Sequence, residues 1–442
     1  MKWRGALVAG ALTVLSGCVY YNAIYNAERL FRAGEDHRRA ARDSAAATSF
    51  SEVLEKSARG FRKDPTGEWA DDALILMGKA YVRLGELREA RAALEEAVRR
   101  ARDEETRLRA LLHLGVVHVM TGDDHRGASL LDQALEGLPS PAHRAEGHLW
   151  RGRVSLAAGE AGPGWWDLEQ AGRHPATRMD AALTRADWGV RLGDQDRMGE
   201  GIGRLLAYRE AGLRVDTVAG LVSAAAERWG PAVAVGFLSG ADTARWEPTP
   251  RGMLLLTRAG LLREAGDTAR AGADMRRVAR GLGPAAEAAR LELARWHLSR
   301  ARDLVEARSA LAILLPAVSA AEAAGMARDL QEMLKLAHQG MDDPLAWFLA
   351  GEICRDGLAA PELARGFFLA FTDADPDGPW AAKALLAALA MARDEGERGW
   401  LLERLEAEAL SPYVLAARGE PALGLEALEE ELARRLQEVR SR

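Results

Sequence analysis

The sequence predicts an all-α protein made of antiparallel helix pairs stacked into a solenoid, and three observations predict it. Alanine, leucine and arginine are the commonest of the 442 residues, and these, with the abundant glutamate, favour helix. A pattern of small and large residues returns roughly every 34 to 37 positions, the signature of a repeat array. Strand-like alternation is scarce, which leaves no place for a β domain.

The first clear repeat opens at Leu74-Ile75-Leu76-Met77-Gly78-Lys79-Ala80-Tyr81 and continues through Gly85, Ala90, Leu94 and Ala97. The second carries Leu111, Leu114, Gly115, His118, Gly122, Leu131 and Ala134. The third carries Gly152, Gly159, Gly164, Leu168 and Ala171, with Arg151 where leucine is expected and Ser155 where an aromatic is expected. A weaker copy holds Ala186, Gly193, Ile202 and Leu205, with Gly189 at the aromatic position. Another holds Leu255, Ala259, Leu262, Gly266, Ala271 and Met275. A late copy runs from Trp347 and Gly351 through Ala364 and Phe368 to Asp375-Pro376, where a helix must stop. Small residues belong where paired helices cross closely, and large ones fill the gaps between them.

This pattern resembles the tetratricopeptide repeat. The resemblance implies a right-handed superhelical solenoid whose first helices line a concave face. One turn-related set of positions on those helices holds Lys79, Arg83, Arg109 and Arg153. The set reads either as scattered surface charge in an arginine-rich chain or as a positive groove for an acidic or extended peptide segment. The segment Asp64-Pro65-Thr66-Gly67-Glu68-Trp69-Ala70-Asp71-Asp72-Ala73 closes one helix and opens the next. Such junctions are similar to those of outer-membrane assembly lipoproteins of the BamD type, and occur in other envelope repeat proteins.

At the N-terminus, Lys2 and Arg4 precede an apolar run from Gly5 to Val14, and Leu15-Ser16-Gly17-Cys18 follows. A positive start, a short apolar core and small residues before a cut site describe a secretory signal, and the run is short for a membrane span. Leu-Ser-Gly-Cys resembles a bacterial lipobox, which implies cleavage before Cys18 and lipidation of its thiol. An ordinary secretory signal is the alternative. Val19, in place of the aspartate that marks inner-membrane retention, points to the outer membrane. Lipidation of Cys18 would leave Cys354 as a lone thiol in an apolar helical context. Tyr20, Tyr21 and Tyr25 follow the anchor, either at lipid headgroup level or, with Leu30 and Phe31, at the start of the first packed helix.

The expected organisation is a signal peptide over 1–17, a lipidated tether and first helix over 18–45, a repeat array over 46–208, an irregular joint over 209–250 and a second array over 251–442. Gly230-Pro231 and Trp246-Glu247-Pro248-Thr249-Pro250 mark the joint, which also reads as one irregular unit in a continuous superhelix. Leu425, Leu428, Leu432, Leu436 and Val439 share one face of a last helix, a cap or a short coiled-coil seam. No zinc-type His-Glu-x-x-His, nucleophile elbow or phosphate loop is present, so no catalytic residue, metal site, cofactor or small-molecule substrate is expected. The formal net charge of −6 argues against nucleic acid. The expectation is a scaffold tethered by lipid to the outer membrane and facing the periplasm. It would bind protein partners in outer-membrane assembly or secretion, or alternatively organise cell-wall enzymes.

Overall fold

In the computed structural model the described residues are 23–40, 42–208, 215–242, 247–317 and 319–442, and among them there are helices and turns but no strand. The expected signal peptide, Cys18, Tyr20 and Tyr21 lie outside the described residues, as does part of the expected joint. The chain divides into two compact units, with the division between Gly266 and Asp267.

Unit 1 begins with α1, over residues 23–39, and α2, Asp43–Lys63. Four helix pairs follow. They are α3 and α4 (Ala70–Leu84, Leu87–Arg100), α5 and α6 (Glu104–Met120, Asp124–Gly137), α7 and α8 (Pro141–Ala157, Ala161–Gly172), and α9 and α10 (Arg178–Leu192, Gln195–Ala207). Three more helices, α11 (Val215–Trp229), α12 (Pro231–Phe237) and α13 (Pro248–Glu264), complete the unit. Consecutive helices pack together, and the first helices of successive pairs also touch, α3 on α5, α5 on α7 and α7 on α9. Contacts to the next helix and the next but one, with little beyond, make a solenoid.

The turn inside each pair is built the same way. The first helix ends in a left-handed residue such as Gly85 (φ 81°) or Gly159 (φ 83°), a conformation that a Cβ penalises. An amide five residues on then reaches back into the helix, Glu86 N to Tyr81 O at 2.9 Å, Asp123 N to His118 O at 2.9 Å, Glu160 N to Ser155 O at 2.8 Å and Asp194 N to Gly189 O at 2.8 Å. The second helix often starts on an aspartate cap, as where Asp194 accepts from Arg197 N at 3.0 Å. Within the pairs, Gly78 lies under Leu94 and Gly152 lies 3.1 Å from the Gly164 carbonyl, measured from the Cβ it lacks. The repeat pattern is thus a record of close helix crossings.

The departures from the pattern have local reasons. Arg151 donates to both oxygens of Asp167, at 2.8 and 2.9 Å, and to Asp132 at 3.0 Å, while His148 Nδ1 lies 2.7 Å from Asp167. An ion-pair network has replaced the expected leucine contact. His118 fills an aromatic position and ties its Nδ1 to Asp123 at 3.0 Å, the residue that caps α6. Gly189 lets the backbone of α10 press in, because a Cβ there would stand 2.5 Å from Met198 N.

Unit 2 holds α14 (Thr268–Ala279), α15 (Pro284–Leu298), α16 (Leu304–Leu314), α17 (Ala321–Gln339), α18 (Leu345–Glu352), α19 (Pro361–Ala374), α20 (Ala381–Leu389), α21 (Glu395–Ala407), α22 (Pro412–Ala417) and α23 (Leu425–Ser441). One core cluster runs from Leu291 to Val439. α18 widens into a π-helical turn over Ile353–Gly357 and ends at Ala359 (φ 49°). Cys354 sits in that turn, fully buried, and burial pushes its thiol up to about 12. α23 turns its Leu and Val stripe onto the core and packs on α18, while Glu429 pairs with Lys383 of α20 at 2.7 Å and Arg440 with Glu332 of α17 at 2.5 Å.

One junction occurs in both units. Asp64-Pro65-x-Gly67-x-Trp69-Ala70 and Asp375-Pro376-x-Gly378-x-Trp380-Ala381 share four identical turn residues and the adjoining alanine. Gly67 N donates to Asp64 O at 3.2 Å and Ala70 N to Gly67 O at 3.2 Å, and the counterparts are Gly378 to Asp375 at 3.3 Å and Ala381 to Gly378 at 3.1 Å. In both, a Cβ on the glycine would collide with the aspartate carboxylate.

Candidate functional site

In unit 1 the first helices leave a cavity of about 610 Å³ between α1, α3, α7 and the start of α9, within the range of roughly 300–1,000 Å³ that ligand pockets occupy. Helical spacing puts its walls together. Lys79 and Arg83 are four apart on α3, and His143, Glu146, Trp150 and Arg153 follow one another at three or four along α7. α1 contributes Phe31, Glu35, Arg38 and their neighbours, and α9 contributes Asp180. Arg38 reaches Asp180 at 3.7 Å and so joins the first helix to the ninth.

The wall charges are mixed. Six Arg and Lys line the cavity against four Asp and Glu. Arg83 bonds to Glu35 at 2.5 Å, and Arg38 bonds to the same carboxylate at 3.1 Å. Burial works against the Glu35 charge, but these two guanidinium groups outweigh it and hold the carboxyl below its usual range. Lys79 places its ammonium 4.6 Å from the centre of the Phe31 ring, a cation–π contact. Burial pushes that ammonium below the usual lysine range, with Glu146 opposing. Arg153 lies 4.5 Å from the centre of the Trp150 ring and donates to Thr184 Oγ1 at 3.1 Å, and burial lowers its pKa in turn.

Two histidines stand beside these cations. His113 is 4% exposed, and its ring meets that of His143 edge-on with centroids 6.4 Å apart. Burial and the nearby Lys79 hold His113 well below the usual range and push His143 down to about 4, so both are neutral near pH 7. His113 Nε2 and His143 Nδ1 are buried without a hydrogen-bond partner. The site offers partly buried cations, ring faces and neutral imidazoles.

Of the four residues singled out by register, Lys79, Arg83 and Arg153 come together on the cavity wall. Arg109 is not among the lining residues and pairs with Asp72 at 2.9 Å. Tyr25 is 47% exposed on α1, whose packing is carried by Ile24, Ala27 and Phe31. Sequence reasoning missed Glu35, Glu146, Trp150 and Asp180. The spacing of Glu146, Trp150 and Arg153 on one helix face was a usable signal, whereas nothing local announced that α1 faces α9. Among the described residues no group of three or more His, Cys, Asp or Glu is placed to hold a metal, and no helix is long and apolar enough to cross a membrane.

No protein-family model matches the chain, and no curated protein matches it. Solved structures similar to it include a tetratricopeptide repeat protein from Parabacteroides merdae, with 18% identity, a TM-score of 0.33, and 57% of this chain and 91% of that chain covered. BtubC from P. vanneervenii gives 16% identity, a TM-score of 0.26, and 54% and 92% coverage. Naa15/Naa10 bound to HypK-THB gives 14% identity, a TM-score of 0.23, and 94% and 73% coverage. These scores are too low to bear weight, and the fold assignment rests on the helix pairing and turn geometry of the chain itself.

Proposed function

We propose that the protein is a lipid-anchored scaffold of the cell envelope that holds an extended segment of a protein partner in the unit 1 cavity. The observation that carries this reading is the open cavity walled by helices of the repeat array, lined by partly buried cations and ring faces. A stacked array presents a preformed surface, so a bound segment bears most of the ordering cost. The tether half of the proposal rests on Leu15-Ser16-Gly17-Cys18 and its resemblance to a lipobox. Lipid at Cys18 would concentrate the cavity at the membrane surface. Outer-membrane assembly or secretion is the proposed setting.

A photo-crosslinking residue at Ala142 on the cavity wall tests the reading in living cells, with the same residue at exposed Gln133 as control. Capture of outer-membrane barrels or secretion subunits from position 142 alone, weakened in a Cys18→Ala strain, is the expected result. Capture of wall-synthesis proteins would move the scaffold to cell-wall organisation. Equal labelling from both positions would remove the cavity from the account.

A further inference from the structure

A second cavity in unit 1, of about 550 Å³, is walled by α6, α7 and α8 and shares no lining residue with the first. Asp124, Ala128 and Asp132 recur every four residues along α6, and Pro163, Trp166 and Asp167 follow at three and four on α8. Its charge balance is the reverse of the first cavity's. Asp124, Asp132, Glu160 and Asp167 stand against one guanidinium, that of Arg151. Arg151 is held by Asp167 and Asp132, whereas Asp124 and Glu160 make no ion pair among the described residues.

The indole of Trp166 sets this cavity apart. Among the described residues five tryptophans carry a cation over the ring, and in every case it is an arginine of this chain. Arg197 lies 5.6 Å from the centre of the Trp165 ring, and Arg404 lies 5.0 Å from that of Trp400, which is 45% exposed. Trp166, next to Trp165 and 55% exposed, carries no cation and meets the imidazole of His148 edge-on, with centroids 5.4 Å apart. An indole face attracts cations, and a guanidinium suits it because it is planar and weakly hydrated. Nearby carboxylates add attraction through the field of the cavity.

We infer that this second cavity binds an arginine side chain of a protein partner, its guanidinium lying on the Trp166 ring and drawn there by the surplus of carboxylates. Ala128, Val154 and Pro163 give the methylene stem an apolar bed. Lysine fits less well, since its ammonium is strongly hydrated and has no flat face to lay on the ring. The inference adds a second binding surface to the array and does not depend on the first cavity.

The test uses the full chain bearing Cys18→Ala and three pentapeptides, acetylated and amidated so that the central side chain carries the only charge. They are Ala-Leu-Arg-Leu-Ala and its lysine and uncharged citrulline versions, with dissociation constants read by saturation-transfer NMR on the peptide signals. The arginine peptide should bind about tenfold tighter than the citrulline peptide, the scale of a cation–π contact strengthened by carboxylates, with lysine between them. Added salt should shrink the difference. Trp166→Leu and the double variant Asp124→Asn, Glu160→Gln should each lose most of the preference, while Trp400→Leu and Lys79→Met keep it. Helicity and melting of each variant are checked first, and if Trp166→Leu unfolds, the double variant at two exposed positions carries the test. Equal binding of the arginine and citrulline peptides, no binding of either, or a preference that survives Trp166→Leu or the double variant would overturn the inference. Loss of the preference in Lys79→Met would overturn it by moving the binding to the first cavity. Saturation of tri-N-acetylchitotriose that Trp166→Leu abolishes, with none of the arginine peptide, would overturn it in favour of a glycan site. The scaffold reading fails separately, on absence of partners cross-linked from position 142 in cells.

Discussion

Gly189 stands where the earlier repeats have Tyr81 and His118, and its missing side chain decides how α10 lies on α9. A methyl group there would meet the amide and Cα of Met198 at 2.5 and 2.9 Å, so backbone must move. Gly189→Ala should therefore lower unfolding stability by about 1–3 kcal/mol, exceeding the gain of about 1 kcal/mol that alanine brings to a helix interior. Gly260 of α13 has nothing within 4 Å, so Gly260→Ala should be neutral or stabilising by up to about 1 kcal/mol. Urea titration of the two variants reads the contrast, and equal effects would discard the close-crossing account. His143 makes a second residue-scale prediction. Burial and the nearby Lys79 push its folded pKa down to about 4, below the ordinary imidazole value of about 6.5, so the unfolded chain takes up the proton first on acidification. The associated stability is fully present above about pH 6.5 and is lost as pH falls toward about 4, and His113, shifted the same way, adds to the slope. His143→Asn should flatten thermal stability against pH across that window, and an unchanged slope would mean the imidazole is not held neutral.

At the scale of elements, α23 shows which contacts hold a helix. Its ion pairs with Lys383 and Glu332 lie between partly exposed partners still reached by solvent, and such pairs contribute about 0–1 kcal/mol each. Leu432 is 2% exposed inside the unit 2 core, so Leu432→Ala should cost about 2–5 kcal/mol while Lys383→Met should cost under about 1 kcal/mol. Chemical denaturation of the two variants decides between stripe and charges, and a larger loss from Lys383→Met would reverse the assignment. The stripe Leu425, Leu428, Leu432, Leu436, Val439 was legible in the sequence because helical periodicity is local. So were the first helix pairs, since Gly78, Gly115 and Gly152 mark crossings between neighbours. The widened turn at Ile353–Gly357 was not legible, because Ala359 takes a left-handed conformation with no glycine to announce it. The cavity was half legible. Register placed Lys79, Arg83 and Arg153 on one face, but a residue's claim on a distant carboxylate, such as Arg83 on Glu35, depends on how the array curves α1 back toward α9.

For the whole molecule, each unit has its own apolar interior. The cluster from Leu291 to Val439 lies wholly after Gly266. Residues 267–442 produced alone should therefore retain native helicity and melt in one cooperative transition, as measured by circular dichroism. A broad, non-cooperative melt would show that the unit needs residues before it.

The junction Asp-Pro-x-Gly-x-Trp-Ala, met at 64–70 and again at 375–381, behaves as a standard fitting. Its backbone hydrogen bonds close within seven residues, and later parts of the chain brace it, Arg100 and Arg102 donating to the Pro65 and Thr66 carbonyls and the Trp380 indole donating to the Leu428 carbonyl. That makes it a splice point. A chimera cut at Pro65 and Pro376 would join the helices before one junction to those after the other with the turn's backbone hydrogen bonds kept, so the same seven-residue stretch offers a place to lengthen, shorten or recombine the array by design.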